Sequence, residues 1–249
     1  MTNLENAENL SAHENGTGRI ADHLRAAFDR MIENGTLGST DRLPSERVLS
    51  EKLGVARMTV RKALWQLEAE GKIFRAERSG WYLSAARFIY DPTRDVSFTA
   101  AACRQGRQPG SKLLALGEIA ANSAMAEGLS VEINTPLIRI VRLRSLDGRP
   151  VFVERSHVLK SRCPQLDELA KKYDSLSVLY EAEYGIHMNR KRITMHPTAL
   201  DVDDAQPLRV PAGTPGLHLR RSSADQHGQL FTWDIEAWLH DALAIDIRP

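Results

Sequence analysis

The sequence predicts an α+β protein with two ordered domains that are built differently. Up to about residue 70 the apolar residues recur at intervals of three and four, which is typical of amphipathic helices. Beyond about residue 95 most apolar runs have the length and composition of β-strands. Asp91-Pro92 lies between the two patterns and breaks any helix, so we expect a linker over residues 85–95.

Composition narrows the class of protein. With 249 residues, of which 42% are hydrophobic, the chain is long enough for each domain to have its own core. Its apolar runs fall short of the ~18 to 20 residues that span a membrane, and its first residues lack the pattern of a secretion signal. Cys103 and Cys163 alone cannot supply a four-ligand zinc site, and the histidines share no ligand spacing. We therefore expect a cytoplasmic protein without a membrane segment, a bound metal or a cofactor.

Positive charge is concentrated between residues 42 and 84, which hold nine Lys or Arg and five Asp or Glu. Residues 1–41 hold three basic and seven acidic residues, and residues 85–249 hold twenty-one and twenty. A basic patch of this kind suits contact with phosphate groups. It is equally compatible with a solvated helix face, so charge alone leaves nucleic-acid binding open.

The first forty residues predict an arm followed by one helix. Residues 1–16 are rich in Asn, Glu, Ser and Gly without a sustained apolar period, which is typical of a disordered segment. Apolar residues at helical spacing predict a helix over residues 17–34, and Asn34-Gly35 would end it. We expect this helix to pack rather than to bind a ligand.

A helix-turn-helix follows. Ser45 after Pro44 is a good N-cap for a second helix, and Gly54 can take the left-handed conformation that ends it. A third helix begins near Arg57, after only a few residues. Helices joined so tightly cross steeply, and this places the start of the third helix where it can enter the major groove of DNA.

Arg57, Thr59 and Arg61 lie in the first turns of this third helix. Guanidinium groups can bind phosphates or the O6/N7 edge of guanine, and a threonine hydroxyl suits a phosphate or a base edge. Two arginines at this spacing also commonly just solvate a helix. A hairpin of residues 73–75 and 81–83 favours DNA binding, because it completes a winged helix-turn-helix domain over residues 17–84. The aromatic residues expected to pack in this domain are Trp65, Phe74, Trp81 and Tyr82.

The segment LPSERVLSEKLGVARMTVRKALWQLEAEGKIFRAERSGWYLS resembles the DNA-binding domain of the GntR family of bacterial transcription regulators. The resemblance implies that a homodimer binds palindromic, double-stranded operator DNA. The residues it assigns to DNA contact are Arg47, Arg57, Thr59, Arg61 and Gly80, and the predicted set also includes Arg42, Ser45 and Lys62. Ala56-Arg57-Met58 departs from the family pattern, which often has Ser and a small polar residue there, so base preference can differ.

The second domain, residues 96–249, is predicted to be a mostly antiparallel sheet with helices on one side. Its strand-like runs cover residues 113–116, 137–143, 151–158, 193–199, 216–220 and 229–238. Helices are predicted over residues 166–170 and 175–184.

Arg142 and Arg144 continue an apolar stripe on one face of a predicted strand, because side chains two residues apart point the same way. Two guanidinium groups on such a face suit an anion held at a pocket wall. If Glu154 and Ser156 face them from the next strand, the pocket also has a carboxylate and a hydroxyl, and it can bind a small anion that carries donors. The alternative is an Arg–Glu ion pair inside a sheet, without a ligand.

The turn between these two strands sets which residues face each other. A two-residue loop at Asp147-Gly148 would place Val151 opposite Arg144. A loop one residue longer would place Phe152 opposite Arg142 and bring the acidic residue to the arginine face. We expect the longer loop.

The segments IVRLRSLDGRPVFVERSHV and DSLSVLYEAEYGI resemble the UTRA effector-binding domain of the HutC-like branch of the GntR family, whose fold is similar to chorismate lyase. The resemblance implies an effector site made of two arginines, a glutamate, a serine that opens a later helix, an aromatic residue near the C-terminus and a loop. These are Arg142, Arg144, Glu154, Ser175, Trp238 and Ser97-Phe98-Thr99. The ending over residues 237–241 departs from the family's Tyr-Arg-Gly-Asp-like pattern.

These observations predict a transcription regulator, as a repressor, that a small anionic metabolite releases from DNA or resets. A phosphate, phosphonate or carboxylate suits the arginines, and an aminoalkylphosphonate would use Glu154 or Asp234 as the partner of its ammonium group. Two other functions stay open: an enzyme that acts on a small anion, and a DNA-binding protein without an effector. The sequence shows no set of nucleophile, base and orienting group, so we expect no catalysis.

Overall fold

The computed structural model of the protein describes residues 16–33, 42–76, 80–91, 94 and 97–247. The chain forms two compact units, Met1–Arg87 and Phe88–Pro249. The predicted arm, apart from Gly16, and the predicted helix end at Asn34-Gly35 lie outside the described residues. None of the described helices is long and apolar enough to cross a membrane.

The first unit is the winged helix-turn-helix that the sequence predicts. Its helices are α1 (Gly16–Glu33), α2 (Glu46–Leu53) and α3 (Arg57–Ala69), and its hairpin pairs β1 (Ile73–Ala76) with β2 (Gly80–Leu83). The Ser45 hydroxyl caps α2 by accepting a hydrogen bond from the Val48 amide, and Gly54 ends this helix at φ +64°. Apolar residues from all three helices and from the hairpin form a single core.

The packing prediction is confirmed for three aromatic residues of this unit and wrong for Trp65. Trp81 is buried, and the Phe74 and Tyr82 rings stack with their centroids 5.4 Å apart. Trp65 is 47% exposed. It lies one position, and therefore about 100°, away from the buried Leu64 on α3, so its side chain leaves the buried stripe of the helix.

The second unit contains eight strands and five helices among the described residues. The strands are β3 (Phe88–Tyr90), β4 (Pro109–Ala120), β5 (Pro136–Leu146), β6 (Arg149–Leu159), β7 (Asn189–Ala199), β8 (Pro215–Ala224), β9 (Leu230–Leu239) and β10 (Leu243–Ile245). The helices are α4 (Phe98–Arg104), α5 (Ser123–Leu129), α6 (Leu166–Leu169), α7 (Leu176–Tyr184) and α8 (Val202–Leu208). One antiparallel sheet has the order β4-β5-β6-β9-β8-β7, and β3 pairs in parallel with β10. The predicted α+β class is confirmed, and each predicted strand run corresponds to one strand of the large sheet.

The boundary between the units falls after Arg87, inside the predicted linker over residues 85–95. Strand β3 takes up residues 88–90 of that segment and belongs to the second unit, where the Phe88 amide donates to the Ala242 carbonyl. The predicted domain limits at residues 84 and 96 therefore stay predictions. The sequence did not predict strand β3 within the linker.

Helices cover both faces of the large sheet, which corrects the predicted arrangement with helices on one side. Arg142 bonds to backbone carbonyls between α6 and α7, while Arg155, which follows the partner of Arg142 on β6, pairs with Asp204 of α8. Neighbouring strand residues point to opposite faces, so α7 and α8 lie on opposite sides. Both α5 and α8 have only seven residues, too few to show a helical period.

The hairpin between β5 and β6 begins with the register of the two-residue loop, which pairs Leu146 with Arg149 and Ser145 with Pro150, and follows neither predicted register beyond these two pairs. Its turn is the two-residue Asp147-Gly148, with both residues at positive φ, +51° and +82°. A bulge after Arg144 then shifts the pairing, so that Arg144 faces Phe152 and Arg142 faces Glu154. The expected longer loop is therefore wrong, but its register differs from the observed one by two residues. Because an even shift keeps the face, Glu154 and Ser156 still lie on the arginine face.

Gly128 in α5 packs directly against the indole of Trp233, and this gives a stability test of the fold. A Cβ atom at residue 128 would lie 2.4 Å from Trp233 Cδ1. We expect Gly128→Ala to lower the free energy of unfolding by about 1 to 3 kcal/mol through overpacking, although alanine usually stabilises a helix by up to ~1 kcal/mol relative to glycine. Gly117→Ala in β4 is the control, because a Cβ there would meet nothing within 4 Å. Urea unfolding measures both variants, and equal stability of the two would contradict this packing.

Candidate functional site

The start of α3 presents two arginines that share one acidic partner. Arg57 Nε lies 3.2 Å from a Glu46 carboxylate oxygen, and Arg61 Nη2 lies 2.7 Å from the same oxygen. The side chains of Arg57 and Arg61 are 62% and 33% exposed. The hydrogen bond from Arg61, together with that from Arg57, outweighs partial burial and lowers the pKa of Glu46, so the carboxylate stays charged. Both guanidinium groups are held in place but remain within reach of a ligand.

Sequence reasoning missed Glu46. Its position offered one signal, because an acidic residue directly after an N-cap is favoured by the helix dipole and faces the next helix of a tight corner. As the common partner of Arg57 and Arg61, Glu46 sets the direction of both side chains.

The other predicted DNA-binding residues surround this corner. Arg47 and Lys62 are exposed, Arg47 pairing with Glu51 at 2.6 Å one helical turn away, and Thr59 is half-buried. Ser45 is engaged as the cap of α2. Arg42 forms a β-bridge with Tyr82, and its guanidinium lies 3.5 Å from where a Cβ of Gly80 would be. The structure thus brings all eight predicted residues onto one unit, with Gly80 at φ +103°.

A cavity in the second unit lies between one face of the sheet, the start of α4 and the start of α7. Seven of the nine residues predicted to contact an effector line it: Ser97, Phe98, Thr99, Arg144, Glu154, Ser156 and Ser175. Its free volume is about 30 Å³, which is enough for one or two water molecules. A larger ligand therefore requires side chains or α4 to move.

Arg142, although predicted to contact the effector, does not line the cavity. Only 2% of the residue is exposed, and its guanidinium donates to the carbonyls of Ala170, Tyr173 and Asp174 at 2.8, 2.8 and 3.0 Å. Burial lowers the pKa of Arg142, with the charge of Arg144 adding to the effect. Arg142 thus fastens the segment before α7 to the sheet, and it positions Ser175 rather than facing the cavity.

Trp238, the second predicted contact outside the cavity wall, belongs to an aromatic cluster beneath it. Its ring stacks on Phe152 at 3.8 Å between centroids and lies edge-on to Phe98, which does line the cavity. The indole N–H donates to Glu236 at 2.8 Å. Trp238 therefore supports the cavity through Phe98, which lines it, and it also holds Glu236, a partner of the lining residue Arg221.

The structure adds Arg221 to the cavity, a residue that the sequence did not single out. Its guanidinium donates to Glu154 at 3.2 Å, to Asp234 at 3.2 Å and to Glu236. The residue is 7% exposed. The opposing carboxylates outweigh burial and raise the pKa of Arg221 well above its ordinary value. Because its three carboxylate partners lie on β6 and β9, only the strand register reveals this group.

The pKa values of the two glutamates in this cluster are shifted in opposite directions. Burial alone would raise the pKa of Glu154, but the charges of Arg144 and Arg221 hold it below the ordinary value. Burial raises the pKa of Glu236 despite Arg221, and the nearby charge of Glu154 adds to the rise. The cluster therefore favours the charged form of Arg221 and holds Glu154 as a carboxylate.

The opposite wall of the cavity carries hydroxyl groups. Ser97 Oγ lies 3.4 Å from Ser175 Oγ, which lies 2.9 Å from Ser177 Oγ. Ser175 precedes α7 without capping it, so the first amides of this helix have no side-chain acceptor there. Tyr180, 2% exposed, has a buried hydroxyl with no hydrogen-bond partner. This wall offers donors, and a negatively charged group would satisfy them.

Within the part of the chain that the structure describes, no group of three or more His, Cys, Asp and Glu side chains has the arrangement of a metal site.

Comparison with known proteins places both units. The family model described as "Bacterial regulatory proteins, gntR family" matches residues 19–83, and that described as "UTRA domain" matches residues 104–244. The chain is 33% identical to the uncharacterized HTH-type transcriptional regulator YihL of Escherichia coli (strain K12), over 97% of this chain and 99% of that protein. It is 34% identical to the HTH-type transcriptional repressor PhnF of Mycolicibacterium smegmatis, over 84% of each chain. It is 30% identical to the HTH-type transcriptional repressor NagR of Bacillus subtilis, over 80% of this chain and 82% of that one.

Solved structures agree with this placement. The crystal structure of PhnF from Mycobacterium smegmatis superposes with a TM-score of 0.63 at 28% identity, covering 90% of this chain and 98% of that one. The similarity spans both units of the chain.

The role of Arg142 can be tested by its effect on stability. Arg142→Leu removes three hydrogen bonds made by a buried cation. The carbonyls of Ala170 and Tyr173 lose this donor, while that of Asp174 keeps its hydrogen bond from Arg144. We expect a loss of about 3 kcal/mol in the free energy of unfolding. Arg139→Leu, on the same strand and exposed, is the control and should change stability by less than about 0.5 kcal/mol. Urea unfolding compares them, and an Arg142 variant as stable as the control would show that this arginine does not hold the segment before α7.

Proposed function

The chain belongs to the gntR family of bacterial regulatory proteins and carries a UTRA domain, and on this premise we propose that it is a repressor whose hold on operator DNA is released by a small anionic effector. That it is a transcriptional regulator follows from the family. The repressor assignment draws on PhnF and NagR, which are both named repressors. Dimeric binding to a palindrome, the anionic effector and the release of DNA are the proposal.

The exposed corner between α2 and α3 supports the DNA-binding part. Arg57 and Arg61 are charged, partly exposed and oriented by Glu46, so a phosphate or a guanine edge can replace the carboxylate as their partner without refolding. Thr59 and Lys62 lie on the same helix. A single winged helix-turn-helix domain supplies limited affinity for DNA. The two such domains of a dimer would match half-sites about one DNA turn apart.

The cavity wall of hydroxyls and amides is the observation that carries the effector assignment. An anion seated at the start of α7 would accept from Ser97, Ser175 and Ser177 and from the free amides of the helix. Arg144 donates three of its five N–H groups to Glu154 and to the Asp174 carbonyl, which leaves two for a ligand. A phosphate, phosphonate or carboxylate group fits this set of donors.

Release would be a shift between states of the dimer. An effector that binds better to a state unsuited to the operator lowers operator affinity by the ratio of its two affinities. By the same linkage, operator DNA would weaken effector binding by the same factor.

DNA contact by Arg61 predicts a selective loss of operator affinity. We expect Arg61→Ala to weaken operator binding by about 1 to 3 kcal/mol per DNA-binding domain, because a charged donor to phosphate or guanine is removed. The measurement uses fluorescence anisotropy with DNA selected from a random pool by the wild-type protein. Lys160→Ala, which breaks an exposed ion pair with Glu118 in the other unit, is the control. Equal affinity of Arg61→Ala and wild type would exclude Arg61 from the interface.

Anion binding at the start of α7 predicts a thermal shift. Inorganic phosphate and small phosphonates should raise the melting temperature of the wild-type protein, because a ligand that binds only the native state stabilises it. Ser175→Ala and Arg144→Ala should reduce the shift while leaving operator affinity unchanged. Mass spectrometry of the same samples detects any product, and turnover of the ligand would favour an enzyme. A shift that survives both substitutions would place the anion elsewhere.

A further inference from the structure

We infer that the effector is an anion rich in oxygen acceptors that carries no ammonium group, because Arg221 already fills the cation site formed by Glu154 and Asp234 of the cavity wall together with Glu236. The inference rests on the proposed effector site and narrows the chemical class of its ligand. It assigns to Arg221 the role of a specificity-determining residue.

All six oxygens of the three carboxylates already accept a hydrogen bond from the protein. Glu154 accepts from Arg221 on one oxygen and from Arg144 on the other, at 3.2 and 2.7 Å. The two oxygens of Asp234 accept from Arg221 and from the Thr232 hydroxyl, at 3.2 and 3.1 Å. Those of Glu236 accept from Arg221 and, at 2.8 Å, from the Trp238 indole.

A ligand ammonium would therefore arrive next to a buried cation instead of next to free carboxylates. It would lose its hydration shell, share oxygens that are already bonded and lie beside the guanidinium of Arg221 in a region of low dielectric. The aminoalkylphosphonate expected from the sequence, with Glu154 or Asp234 as its ammonium partner, does not fit this arrangement.

The groups with capacity to spare in the cavity are donors. Tyr180 has a buried hydroxyl with no partner, Arg144 has two N–H groups left, and the first amides of α7 open on the serine hydroxyls. Acceptors on the ligand would satisfy each of them. Hydroxyl or ether oxygens next to the anionic group therefore suit the cavity better than an amine.

Two phosphonates of the same length provide a direct test. 2-Hydroxyethylphosphonate and 2-aminoethylphosphonate differ only in the terminal group, and isothermal titration calorimetry at pH 7 measures their affinities for the full chain. We expect the wild-type protein to bind the hydroxy compound at least 10-fold more tightly. Equal or tighter binding of the amino compound would overturn the inference while leaving the anionic effector standing. If neither compound nor inorganic phosphate bound, the proposed effector site itself would be wrong.

Arg221→Gln should reverse the preference, because it frees oxygens of Glu154 and Asp234 for an ammonium group. The expected change in the affinity ratio is at least 10-fold in favour of the amino compound. Arg220→Gln is the matched control, since Arg220 is exposed and points to the other face of the same strand, and its ratio should equal that of the wild type. If Arg221→Gln does not fold, the double variant Arg221→Gln/Glu236→Gln removes one charge of each sign and serves the same comparison. An unchanged ratio in the folded variant would exclude Arg221 as the determinant.

Tyr180→Phe tests the donor side independently. Without ligand its melting temperature should equal or exceed that of the wild type, because the lost hydroxyl has no partner. Its affinity for 2-hydroxyethylphosphonate should fall about 3- to 10-fold, as expected for one lost hydrogen bond. A lower melting temperature with full affinity would show that the hydroxyl serves the fold and not the ligand.

Discussion

The buried arginine–carboxylate network of the second unit is the constraint on which its cavity depends. Arg221 on β8 joins Glu154 on β6 to Asp234 and Glu236 on β9, and Arg144 on β5 completes the chain through Glu154. Hydrogen bonds between buried side chains thus connect four strands of the sheet. Removing one partner from such a set leaves an unpaired buried charge, which typically costs 3 to 5 kcal/mol. The strand register must therefore be kept, and with it the positions of the donors on the opposite wall.

A similar pairing in the first unit leads to a different behaviour because it is exposed. Glu46 holds Arg57 and Arg61 at the start of α3, but water reaches both guanidinium groups, and such pairs contribute little to stability. Their arginines can exchange a carboxylate for a phosphate at small cost. The buried guanidinium of Arg221 has no such freedom and acts as a fixed part of the cavity wall. Whether an arginine can bind a ligand or instead forms part of the fixed cavity wall is therefore decided by its burial more than by its residue type.

Much of the fold could be predicted because its signals are local. Apolar periodicity, the cap at Ser45 and the turn at Gly54 defined the helix-turn-helix, and six strand runs defined the large sheet. Helices α4, α5 and α8 were missed because seven residues are too few to show a period, and the loop predicted at Ser97-Phe98-Thr99 is instead the N-cap and first turn of α4. The face of Glu154 was predicted correctly from a wrong turn, since any even shift of register keeps a side chain on its face. Arg221 could not be predicted, because its carboxylate partners are up to 67 residues away in the chain and the Tyr90 hydroxyl, to which it also donates, is 131 residues away.

Arg142 and Arg144 show most clearly what the strand period of a sequence cannot predict. They are the same residue type, on the same strand and the same face, and the sequence treats them alike. The structure separates them by what lies above each. Arg142 donates to three carbonyls of the segment before α7, while Arg144 donates to only one of them, that of Asp174, and lines the cavity. Strand period fixes the direction of a side chain, but its depth depends on the connection that packs over it. An arginine on the face of a site can therefore either bind the ligand itself or hold in place a segment that binds it. Its hydrogen bonds to backbone carbonyls distinguish these two roles.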